Sequence, residues 1–181
     1  MLFTPIATSE ELEDKTSWVN NGFEYPIESY NSFFKSYGEA IAAWAKVESS
    51  LFAIYAISIK SAEYRSMASG FYSLSGFRAK LDLTNSSVRN VEKLSPDINV
   101  WEELYKQCSK KSQKRNFLAH AATYYDHVNP KDHRKFFMAQ GYGIESRMYE
   151  TDISAIRDYF LVLAEQLIKF WFSLQNKDAN T

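Results

Sequence analysis

Apolar residues recur at steps of three and four in four long blocks of this chain, the period of one face of an α-helix. The first block covers about residues 28–58, with Tyr30, Phe33, Phe34, Tyr37, Ile41, Trp44, Leu51 and Tyr55 as its stripe. The second covers about 61–85 and turns Met67, Phe71, Leu74 and Leu81 inward. The third starts near Asp97 and runs to about Tyr124 on Trp101, Leu104, Tyr105, Cys108, Leu118, Ala119 and Ala122. The last opens at Thr151 or Asp152, either a suitable N-cap, and carries Ile153, Ile156, Phe160, Leu163, Leu167, Phe170, Trp171 and Leu174.

Between the third and fourth blocks, residues 135–140 and 146–149 predict two short strands around Gly141-Tyr142-Gly143. The whole pattern predicts an all-α fold, a four-helix antiparallel bundle with a small β-hairpin between the third and fourth long helices. Residues 1–27 read as an arm in which residues 9–14 open a helical turn and Asn20-Asn21-Gly22 and Tyr25-Pro26 break it. Residues 28–175 form the bundle domain, with a helix end and connection at 84–96, and 176–181 are a polar tail.

Composition sharpens this in a few places. A length of 181 residues predicts one domain, and the 16 % aromatic share predicts a core packed by Phe, Tyr and Trp. A net charge of −1 gives no global basic field, so any anion site must be local. The single cysteine, Cys108, excludes an internal disulfide, fits a reducing compartment and sits on the apolar stripe as a small core hydrophobe. No stretch of ~18 residues is free of charge and the N-terminus shows no secretory pattern, so a cytoplasmic protein without a membrane span is expected.

Charged residues on the stripes are the anomalies. Arg115 falls in line with Leu104, Cys108 and Ala122, and Glu48 falls between Trp44 and Leu51. Arg78 lies near the seam of the second block. A guanidinium cannot shed its proton, so burial demands a carboxylate, a phosphate or water. The plain alternative is a buried ion network in which Glu48 takes Arg115, and Arg115→Ala would then cost roughly 3–5 kcal/mol. The functional alternative has Arg115 reach an open cleft and hold a phosphate bidentately, with Glu48 and Arg78 as its supports.

Asn116 and His120 stand four residues apart on a neighbouring helix face. An imidazole titrates near neutral pH and can move a proton. Beside an arginine on a phosphate, it suits metal-independent RNA cleavage. Lys110, Lys111 and Lys114, with Lys106, add a local basic run that suits RNA, or is simply a solvated face. His120, His127 and His133 lack the spacing of a paired metal motif, and no phosphate-loop glycine pattern is present, so no metal and no cofactor are expected.

The run Arg115-Asn116-Phe117-Leu118-Ala119-His120 resembles the signature of the HEPN superfamily (higher eukaryotes and prokaryotes nucleotide-binding domains), an Arg followed after four to six residues by His. The stretch Trp44-Ala45-Lys46-Val47-Glu48-Ser49-Ser50-Leu51 is similar to that family's early helix, which often carries an acidic residue. The resemblance covers about residues 28–175 and does not extend to the 126–150 insertion. It implies a helical homodimer that joins through the Arg115/His120 helix and cleaves RNA in toxin–antitoxin, phage-defence or RNA-processing systems, with an antitoxin or regulatory protein as a further partner. Arg115 would bind the scissile phosphate, His120 would transfer a proton, and Asn116 would orient them. Some members of that family have lost catalysis and serve as binding modules.

Overall fold

A computed structural model describes residues 17–20, 23–60, 63–92, 97–125, 135–140 and 147–178. These residues are mostly helical. Strands β1 (Ser17–Asn20) and β2 (Phe23–Pro26) pair antiparallel, with Asn20 opposite Phe23. Helix α1 (Ile27–Ile59) follows at once, with Pro26 as its extended N-cap, and ends at Lys60 in the left-handed region at φ 55°. The expected helical turn at residues 9–14 lies outside the described residues.

The centre of α1's inner face is small. Ala40, Ala43, Val47 and Ile54 are fully buried alongside Phe33, Trp44 and Leu51. The aromatics Tyr30, Phe34, Tyr37 and Tyr55 form its half-buried margins instead. Small residues at the centre let a neighbouring helix approach closely, and α1 packs chiefly along α5 (Glu150–Asp178). Ile153, Phe160, Leu163 and Leu167 are the buried side of α5. Among the described helices α1 alone is long and apolar enough to cross a bilayer, but 44 % of its most apolar window is buried within the fold.

The expected second helix is two. Helix α2 (Tyr64–Ser73) and helix α3 (Phe77–Glu92) are separated at Gly76, whose φ of 85° only glycine adopts without strain. A Cβ there would meet open space, so strain would come from the backbone alone. Gly76→Ala is therefore expected to lower stability by about 1 kcal/mol in urea titration, and an unchanged midpoint would refute this. Helix α3 also runs past the connection expected at Thr84. Thr84 and Ser87 donate to the carbonyls of Lys80 and Leu83 at 2.9 and 3.1 Å, so the polar run satisfies itself within the helix. The polar tail likewise begins later than residue 176, because α5 continues to Asp178.

Helix α4 (Asp97–His120) buries Trp101, Leu104, Cys108 and Leu118. It stops short of Tyr124 because residues 122–125 leave it as strand β3 (Ala122–Tyr125). Strand β4 (Phe136–Ala139) is central, between β3 and β5 (Met148–Tyr149), and the pairing is antiparallel on both sides. The expected hairpin is thus present, while its turn residues 141–143 lie outside the described residues. Aromatic cross-strand pairs explain the extra strand: Tyr124 stacks on Phe137 at 5.5 Å and Tyr125 on Phe136 at 4.8 Å. Phe136 also meets Tyr30 and Phe33, both at 5.7 Å, which seats the sheet on the start of α1.

Candidate functional site

The last two turns of α4 carry Arg115, Asn116 and His120. Toward Trp101 and Cys108 the inner face of α4 is fully sealed, but beyond Cys108 the same face emerges from the core. Lys111 and Arg115, although on the apolar seam, are only half-buried, and Ala119 is exposed. Leu118 remains buried, and the Tyr37 hydroxyl donates to its carbonyl at 3.4 Å, which ties the helix end to α1.

Arg115 donates from Nη1 to the Oδ1 of Asn116 at 3.3 Å. His120 and Asn116 are exposed. Among the described residues no carboxylate forms an ion pair with Arg115 or His120. His120 stands five positions after Arg115, about 140° around a helix, and Asn116 lies between their directions. The arrangement offers a half-buried anion-binding fork, an exposed amide and an exposed imidazole, on diverging sides of one helix.

Glu48 and Arg78 do not support Arg115. The Glu48 carboxylate accepts from Trp44 Nε1 at 3.1 Å and pairs with Lys80 at 3.3 Å. The Lys80 ammonium also lies 5.3 Å from the Tyr72 ring centre and 5.8 Å from that of Phe71. Glu48 is thus a cross-helix tie between α1 and α3. Arg78 faces solvent and donates to Asp82, Ser109 and Tyr105 at 2.8, 3.1 and 2.7 Å. Tyr105 in turn donates to Asp82 at 2.7 Å, and that bond holds its phenol pKa above the ordinary value. This network fastens α4 to α3 through Tyr105 and Ser109, more than two turns before His120.

The lysines separate from Asn116 and His120. At about 100° per residue, Lys111 and Lys114 lie roughly 140° and 160° from Asn116 and roughly 180° and 120° from His120, on other faces of α4. Lys110 and Lys114 are exposed, whereas Lys111 sits with its Nζ 3.8 Å from the centre of the Tyr159 ring on α5. Burial, then the charges of Lys110 and Lys114, lower the Lys111 pKa. Tyr159 and Arg147 join these lysines around a groove, and neither stood out in the sequence. Tyr159 left a faint signal as a large aromatic off the buried stripe of α5.

Cys108 is sealed, and burial alone pushes its thiol up to about 12. Folded protein is expected to resist thiol reagents at pH 8 and to react only after denaturation, and rapid labelling of the native chain would refute its burial. No group of three His, Cys, Asp or Glu among the described residues is placed to hold a metal ion. His127 and His133 lie outside the described residues. Comparison with protein-family models, curated proteins and solved structures finds no match to this chain.

Proposed function

We propose that this chain is a HEPN-type endoribonuclease that needs no metal ion and works as a homodimer through α4. In this reading α1, α3, α4 and α5 are the four long helices of an antiparallel bundle, and the 122–149 sheet is an elaboration upon it. The observation that carries the proposal is that half-buried Arg115 and exposed His120 stand at one end of α4 and that, among the described residues, no carboxylate pairs with either.

The chemistry follows from the groups. Arg115 donates to the non-bridging oxygens of a phosphodiester and stabilises the charge that builds as the ribose 2′-oxygen attacks phosphorus. One imidazole takes the 2′-OH proton, or gives one to the departing 5′-oxygen. The products are a 2′,3′-cyclic phosphate and a 5′-hydroxyl. Because Arg115 and His120 diverge on one helix, a second copy of α4 is what brings an arginine and a histidine onto the same phosphate. A toxin–antitoxin or phage-defence setting, with a protein that restrains the enzyme, suits such an activity.

The test is incubation of the purified protein with single-stranded RNA in EDTA, with analysis of the product ends. Cleavage that persists and leaves 2′,3′-cyclic phosphate is expected. RNA left intact for hours would overturn the proposal. Binding without turnover would instead favour a non-catalytic HEPN-like module, a reading that the net charge of −1 supports.

A further inference from the structure

A groove of about 540 Å³ runs between α4 and α5. Lys111 and Lys114 line it from α4, Tyr159 lines it from α5, and Arg147 stands where the chain approaches α5. Asp152 is the one carboxylate among the lining residues, and it accepts the backbone N–H of Tyr149 at 2.9 Å. Positive charge therefore dominates. Among the described residues neither Lys111 nor Lys114 forms an ion pair.

Two features separate this groove from an ordinary solvated lysine face. Lys111 does not extend into water but folds down upon an aromatic ring, half-buried, although Lys110 and Lys114 crowd it with like charge. A bound anion relieves that repulsion. Tyr159 is 56 % exposed in spite of its size, so part of the ring stays open beside the cations. Cations that follow a phosphate backbone, together with an exposed ring on which a base stacks, are the two elements of single-strand recognition.

We infer that this groove holds single-stranded RNA, with backbone phosphates on Lys111 and Lys114 and a base on Tyr159. The inference rests on the proposal that RNA is the substrate, and it adds which side chains hold the strand.

The test uses a 2′-O-methyl oligonucleotide of about ten nucleotides, which cannot be cleaved through its 2′-oxygen, and fluorescence anisotropy on the full chain. Tyr159→Ala is expected to weaken binding roughly tenfold, and Tyr159→Phe to keep it. Each phosphate contact on a single strand contributes about 0.7 to the salt dependence of affinity, so the double variant Lys111→Gln/Lys114→Gln should reduce that slope by about 1.4. Wild-type affinity and slope in these variants, preference for duplex over single strand, or no binding by the wild type would each overturn the inference. The two ideas fail separately. Groove-dependent binding without cleavage in EDTA leaves the groove and removes the nuclease, whereas cleavage with groove variants that bind normally does the reverse.

Discussion

His120→Ala is expected to lower RNA cleavage by about 10²–10⁴-fold, the usual contribution of a positioned general acid or base. The fold should not notice. His120 is exposed and no hydrogen bond from its side chain is seen among the described residues, so the change in stability should stay within about 0.5 kcal/mol. Arg115→Ala should behave alike, losing activity but little stability. That outcome separates the present structure from the buried-pair alternative, in which stranding Glu48 costs roughly 3–5 kcal/mol. Initial rates on a defined RNA, with thermal unfolding of the same samples, make the measurement. Wild-type rates in His120→Ala would remove the imidazole from the mechanism.

Glu48→Ala should give the largest loss of stability among the charged residues, about 3 kcal/mol. The side chains of Lys80 and Glu48 are only 12 % and 20 % exposed, so the substitution leaves an ammonium with little water and Trp44 Nε1 without its acceptor. For a chain of this length, roughly 2–4 °C per kcal/mol predicts a fall in Tm of about 6–12 °C by calorimetry. The paired replacement Glu48→Leu/Lys80→Met should recover much of that loss, because it removes both charges together. A fall below about 2 °C in Glu48→Ala would show that water already screens the pair.

The helices were legible because their apolar period is long and regular. Phe71, Leu81, Trp101, Leu104, Cys108, Ile153, Phe160, Leu163 and Leu167 were all read as inward and are buried. In α1 the stripe residues Phe33, Trp44 and Leu51 are buried as their spacing predicts, and Ala40, Ala43 and Val47, too small to stand out in the pattern, share that packed centre. The break at Gly76 leaves little mark in the sequence, because a single glycine is also tolerated inside helices. Strand β3 was not visible at all. Its four residues continue the helical pattern, and only pairing with β4, more than ten residues away, makes them extended.

The half-buried position of Arg115 and the exposed ones of Asn116 and His120 are readable in part. A helical wheel gives the face of a residue but not the point at which the core ends. Arg115 is on the seam, as its spacing requires, yet the seam there has already left the core. The same limit hid the partner of Glu48. The wheel shows that a carboxylate points inward, but not that Lys80, thirty-two positions away on another helix, is what it meets.

The Tyr37–Leu118 hydrogen bond and the strand that leaves α4 directly after its last turn have a consequence for assembly. They tie the end of α4 to α1 and to the sheet, so the proposed second copy could lie across it without any of the interior having to melt. In the dimer proposed above, association there would be rigid docking, because the entropy that a loose helix end would forfeit on pairing has already been lost during folding.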